Sequence, residues 1–373
     1  MNLSLTFLSR TIILHAHDMA PPSAADSKAL QEIITSTLAI LKQFTTSLTF
    51  QSTELPTPSV ENAPNPLNVL KDSATLLKAH TTKVSLLAIN KPFTPSAITK
   101  VLRDLSGTCL PAMMSAVQIC EQDKKTWTGL MAKEAQMRVA RVFREIENLL
   151  LECQSISQGN AAPARRDSLS STGVVWESCD ALIELEKIGV AGLAVQKAEQ
   201  YRDSIKDAIE ELQEWREGTD MDNEGEDDAL LDSGDEGVDG DADSIDDIFN
   251  AANSCPKDRP ELRELVEKAE GRLKKVVLLY TALGKRRLKT FKTGGTSDSA
   301  ERLDKIMEGL KQVQSDVDEL AGCFYDLDEE KARAELEQCV THAKTTCETA
   351  KISWDGQDDE FTSWSKKWDE AVG

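Results

Sequence analysis

Apolar residues recur at steps of three and four along most of this chain, the spacing that places them on one side of an α-helix. Leu30, Ile34, Thr37, Leu41, Phe44 and Leu48 open the pattern, and Leu67, Leu70, Ala74, Leu77, Thr81, Val84 and Ala88 repeat it. A third segment runs over 98–120, where Pro111 follows Gly107 and predicts a kink or a break. A fourth helix is expected near 127–153, with Met131, Ala135, Val142, Ile146 and Leu149 on one side. The Ser-, Ala- and Gly-rich stretch 155–172 reads as a loop, 174–185 as a short helix, and Ile188-Gly189 as a joint. Ala194, Ala198, Tyr201, Ile205, Ala208, Leu212 and Trp215 then form a stripe that ends at Gly218. Three further stripes follow: Leu262 to Leu283, stopped by Gly294-Gly295, then Leu303 to Leu320, then Leu336 to Trp354.

No segment alternates with period two, so sheet is not expected. Long one-sided helices with short connections pack as antiparallel bundles. The fold class is therefore all-α: an antiparallel bundle of long amphipathic helices, of which a vinculin- or catenin-like bundle is one form.

One stretch breaks the pattern. No lysine or arginine lies between Glu217 and Lys257, and 219–247 holds fourteen Asp and Glu interrupted by glycine and serine. Like charges repel there, and too little apolar surface is available to offset chain entropy. The expected organisation is a disordered N-terminal tail at 1–25, a helical bundle at 26–217, a disordered acidic linker at 218–257, a helical region at 258–356 and a C-terminal tail at 357–373. The acidic stretch carries two-thirds of the formal net charge of −21, so the helical parts are only mildly acidic. That balance disfavours nucleic acid and anionic membranes as partners and favours a basic protein surface. No apolar run approaches the length of a bilayer span. Residues 1–14 lack the basic start of a secretory signal, and Met19 is a second candidate start. Eight cysteines stand singly within apolar stripes, as expected of small buried hydrophobes in a reducing compartment.

The chemistry-bearing patterns are sparse. Four histidines (15, 17, 80 and 342) leave little for acid–base work, and phosphate loops, dinucleotide fingerprints and nucleophile elbows are absent from the sequence. Neither an enzyme nor a cofactor is expected, and no catalytic or cofactor-binding residue is assigned. Cys339, His342 and Cys347 do not complete a zinc tetrahedron. The run from Asp220 reaches Leu231 where a calcium loop needs its bidentate Glu, so no metal site is assigned. Basic residues cluster once, as Lys285, Arg286, Arg287 and Lys289, a candidate patch for the acidic stretch to contact in a salt-sensitive way or for nuclear import. The plainer reading is a set of cations complementing a helix C-terminus. Ser233 and Ser244 have acidic residues at +2 and +3, and Ser168 follows Arg165-Arg166; these three are candidate phosphosites.

Val175 to Cys179 opening a helix, 194–205 leading into an acidic insert, and 273–280 resuming after it give an order that resembles the cyclin-D-binding protein family. That resemblance implies a helical interaction protein of cytoplasm and nucleus. It would bind a cyclin or a helix-loop-helix transcription regulator and restrain the cell cycle. No binding motif of that family is sharp enough to carry over to residues here, and Leu151, Cys153 and Ser155 lack the final Glu of the pocket-protein signature. Arg286-Arg287-Leu288 likewise stands one residue too far from Phe291 for cyclin docking. A structural adaptor joining cytoskeletal partners is the alternative. The sequence leaves the oligomeric state open.

Overall fold

A computed structural model describes residues 23–49, 63–91, 93–159, 169–218 and 254–373. The helices are α1 (Ala24–Thr49), α2 (Pro66–Ile89), α3 (Pro95–Asp104), α4 (Leu110–Gln122), α5 (Lys124–Ser157) and α6 (Ser170–Glu217). After residue 254 come α7 (Pro260–Arg286), α8 (Ser297–Tyr325), α9 (Glu329–Thr349) and α10 (Glu360–Val372). No strand occurs among the described residues, and the protein is an all-α bundle protein.

The stripes account for the core. Leu30, Ile34 and Leu41 of α1, Leu70 and Leu77 of α2, and Leu303, Ile306 and Leu310 of α8 are all buried. Phe44 is only half-buried and lies against Phe143 with ring centroids 5.9 Å apart. The break expected at Pro111 is a π-helical turn, Leu105–Cys109, leading straight into α4. Proline at the second position of α4 has no N–H to offer Gly107, and the wider turn leaves room for its ring. The two segments expected around Ile188-Gly189 are one element, α6, with Gly189 alone outside helical geometry at φ 59° and ψ −167°. Only glycine takes that backbone without strain, so the joint lies where the sequence puts it.

Two compact units emerge. One comprises Met1–Leu55, Val69–Met114 and Arg138–Ile183; the other comprises Pro56–Asn68, Ser115–Met137 and Glu184–Gly373. These compact units are drawn differently from the helical parts expected on either side of 218–257. The chain passes between units within α2, α4, α5 and α6, whereas the end of α6 and the start of α7 both belong to the second unit.

In the first unit α1 packs on α3. The N-terminus of α6 is held by a carboxylate from α5: Glu152 accepts from the amides of Ser170 and Ser171 at 3.0 and 3.2 Å and from both hydroxyls. Burial pushes the Glu152 carboxyl up, and these donors outweigh it to leave it below its ordinary value. Arg141 pairs with Glu177 at 2.7 Å and Lys78 with Asp180 at 2.5 Å, so α6 is tied to both α5 and α2.

In the second unit α8 and α9 form an antiparallel hairpin. Asp316 meets His342 near the middle, and Lys331 meets Glu319 toward the turn. On its side toward α9, close to Thr346, α8 offers Gly309. A Cβ there would overlap the Thr346 hydroxyl. Helix α7 packs against both α9 and α10.

The ends of the acidic stretch are pinned together. Cys255 N–H donates to Trp215 C=O at 2.8 Å, while Arg263 reaches both Arg216 C=O and Cys255 C=O. Gly218 closes α6 at φ 75°, beside Ser254.

The C-terminal tail expected at 357–373 is corrected. Helix α10 begins at a capping box, with Asp359 accepting from Thr362 N–H and the Thr362 hydroxyl accepting from Asp359 N–H. It buries Phe361, Trp368 and Val372.

Substituting Gly309 tests the hairpin. Gly309→Ala is expected to destabilise by about 1–3 kcal/mol, the usual cost of overpacking, although alanine favours helix. Gly309→Ala with Thr346→Ala should recover part of the loss in urea unfolding. Unchanged stability of the single variant would contradict the close approach.

Candidate functional site

The one basic cluster lies at the C-terminus of α7, and the fold divides it. Lys285, Arg286 and Lys289 are exposed, whereas Arg287 is 1% exposed. Arg287 therefore leaves the candidate patch and becomes a core residue. Its Nε donates to Ala350 C=O at 2.6 Å, and its Nη2 donates to Lys351 C=O at 2.9 Å. Its two terminal nitrogens donate to the two Asp359 oxygens at 2.7 and 2.9 Å. The guanidinium also lies over the Phe361 ring, 4.6 Å from its centroid.

Each part of this arrangement has a physical reason. Ala350 and Lys351 follow the last turn of α9, where carbonyls have no helical partner. A planar five-donor cation can satisfy two such carbonyls and a carboxylate together, which an ammonium cannot. Trp354 closes the opposite side: its indole N–H donates to Arg287 C=O at 2.9 Å, and its ring stacks with Arg302, which donates to Ser353 C=O. Phe291 meets the Trp354 ring edge-on, centroids 5.2 Å apart. Arg286 adds a surface pair with Glu360.

Lys285 and Lys289 are different. Among the described residues neither has a carboxylate within ion-pair distance. They stand on the rim of an open groove of about 550 Å³ between the second half of α6 and the end of α7. Ala191, Gly192, Val195 and Gly284 line it. Small side chains at these positions keep the two helices from filling the space between them, and a Cβ on Gly284 would meet nothing within 4 Å. The cations at this groove are the part of the predicted patch that remains available to a partner.

Ser168, Ser233 and Ser244 lie outside the described residues. All eight cysteines are buried and free, and burial pushes the thiols of Cys120, Cys153, Cys179, Cys339 and Cys347 up to about 12. A thiol held protonated is neither a good nucleophile nor a metal ligand. His342 Nδ1 lies 2.6 Å from Asp316, while Cys339 turns inward toward Val313 C=O, so the Cys339, His342 and Cys347 group is dispersed. Among the described residues no group of three or more His, Cys, Asp or Glu is placed to hold a metal ion. Nor, among them, is any helix long and apolar enough to cross a membrane.

Comparison with known proteins divides the sequence at the acidic stretch. Residues 69–218 match the model of the Grap2 and cyclin-D-interacting N-terminal domain, and 232–348 match that of its C-terminal domain. The chain belongs to this family. It is also 28% identical over 322 residues to an uncharacterised protein of Schizosaccharomyces pombe, covering 84% of this chain and 85% of that protein. A Cyclin-D1-binding protein 1 homologue of Xenopus laevis is 26% identical over 285 residues, covering 73% of this chain and 78% of the relative. The junction between the two family domains falls in the acidic stretch, although the compact units part elsewhere. Neither match extends to α10, whose anchor was also absent from the sequence reading. The signal was there: Asp359 three residues before Thr362, ahead of an apolar helical stripe, is an N-cap pattern.

The Asp359 carboxyl is held far below its ordinary range, first by the Arg287 hydrogen bonds and further by Thr362, against a smaller effect of burial. A carboxylate depressed in the folded state stabilises above its unfolded pKa of about 3.9 and loses that contribution as pH falls through the folded value. Asp359→Asn keeps a competent N-cap but removes the charge. Wild type should exceed this variant in urea stability by a constant margin from neutral pH to about pH 5, and the margin should close below about pH 4. A margin that persists unchanged in stronger acid would contradict the charge pairing.

Proposed function

We propose that this chain is a non-enzymatic interaction protein that binds a D-type cyclin and thereby acts on cell-cycle progression. Its membership of the Grap2 and cyclin-D-interacting family carries the reading, and likeness to a relative named for cyclin D1 binding supports it. The scarcity of catalytic groups in the sequence is consistent with it. Cytoplasm and nucleus, and phosphorylation of the acidic stretch at Ser233 and Ser244, belong to the same proposal.

The binding face we assign is on the first unit. There α5 and α6 run antiparallel, with Glu152 against Ser170 and Ser171 at one end and Arg141 against Glu177 further along. Leu151, Val174 and Trp176 on these helices stay exposed, Trp176 to 38%. Tryptophan is enriched at interface hot spots, and helical partners are read by exposed apolar side chains of this kind.

Calorimetric titration of the full chain with a purified D-type cyclin tests the proposal. Wild type should bind, Trp176→Ala should weaken binding at least tenfold, and Lys285→Gln with Lys289→Gln should leave it unchanged. No binding by wild type would overturn the cyclin reading. Full-strength binding by Trp176→Ala would overturn the assigned face. Capture of a helix-loop-helix regulator, or co-sedimentation with filaments, in the absence of cyclin binding would replace the partner.

A further inference from the structure

We propose that the groove between α6 and α7 is a docking site for an acidic segment carrying an aliphatic pair, and that its occupant is this chain's own 224–236. The inference does not depend on the cyclin reading.

The groove supplies two kinds of recognition. Its lining is mostly apolar, with Ala191, Gly192, Val195 and Gly284 beside Ile188 and Tyr280, and it also carries Lys285 and Lys289. The other charges facing it are Arg202, which is paired with Asp203, and Glu199. The local balance is therefore positive in a chain whose formal net charge is −21. Cations without ion-pair partners beside an apolar floor match an acidic peptide that also has aliphatic side chains to bury.

The occupant is selected by chain length. The two ends of 219–253 are anchored at one point of the second unit, where Cys255 bonds to Trp215 and Gly218 lies beside Ser254. From that point back along α6 to Val195 is about 33 Å at 1.5 Å per residue. The twelve residues from Gly218 to Leu230 span up to about 40 Å when extended, and those from Leu231 to Ser254 span considerably more. Leu230 and Leu231 therefore reach the groove. Phe249 and Ile248 do not, because only about 17 to 20 Å of chain separates them from Ser254.

Seven carboxylates surround the leucine pair: Glu224, Glu226, Asp227, Asp228, Asp232, Asp235 and Glu236. Whichever way the pair seats, acidic side chains arrive at Lys285 and Lys289. Tethering raises the local concentration of the segment to the millimolar range, so a weak contact suffices for occupancy.

Zero-length carbodiimide cross-linking of the full chain, with mass spectrometry of the monomer fraction, tests this. Lys285 and Lys289 should link to carboxylates within 224–236. The yield should fall at least fivefold on raising salt from 20 mM to 500 mM. Leu230→Ser with Leu231→Ser should also lower it at least fivefold while every lysine and carboxylate remains. Gly284→Leu, which fills the groove and favours helix, should do the same. Circular dichroism confirms that each variant is folded. Links spread evenly over 219–247, links found only between molecules, or yields indifferent to both apolar variants would overturn the proposal. Links from the two lysines to a different segment of the chain would overturn the assigned occupant.

Discussion

One guanidinium fixes the ends of three helices in the second unit. Arg287 ends α7, and from there it holds the terminal carbonyls of α9 and the N-cap carboxylate of α10. Burying such a cation is unfavourable unless nearly every donor is satisfied, and breaking a buried pair typically costs about 3–5 kcal/mol. Here the donors meet carbonyls that the helix end would otherwise leave without partners. Satisfying both groups at one place makes the arrangement specific: moving any of the three helix ends leaves a buried polar group unpaired. Phe361 covers the cation and takes its positive charge on its face, while Trp354 donates to the Arg287 carbonyl and stacks under Arg302 instead.

That constraint explains why α10 is ordered. A helix of thirteen residues is marginal by itself in water. Its own apolar contribution is concentrated in Phe361, Trp368 and Val372, and Trp368 adds an indole hydrogen bond to Lys275 C=O at 2.8 Å. Packing along α7 thus holds the length of the helix, while Arg287 sets where it begins. The same division of labour frees the neighbouring lysines. One arginine of the cluster is internal, one pairs with Glu360 on the surface, and the remaining two cations stand over the groove.

Much of this was legible in the sequence because period is a strong signal. The stripes of α1, α2, α7, α8 and α9 fall mostly on buried residues, and Gly189 and Gly218 sit at positive-φ backbone conformations that favour glycine. Three features were not legible, each for a physical reason. Arg287 is indistinguishable from Lys285 by composition, since its burial depends on carbonyls sixty-three and sixty-four residues away. Residues 357–373 resembled a tail because charged residues separate their aromatic side chains, and the partners of those side chains lie on α7. The compact units part within α2, α4, α5 and α6, and periodicity alone does not reveal where a continuous helix changes neighbours. Among candidate sites, composition pointed to one basic cluster but could not show that its members part between core and surface. The aliphatic exposures on α5 and α6 gave no sequence signal, since they interrupt no stripe.

The account rests on Arg287 being an internal tie, and hydrogen exchange measured by mass spectrometry tests this most directly. Arg287→Lys keeps the charge but cannot reach Ala350, Lys351 and both Asp359 oxygens together. Peptides covering 360–372 should exchange at least tenfold faster in this variant than in wild type, while peptides from the α8–α9 hairpin remain protected. Equal protection of 360–372 in the two proteins would contradict the account.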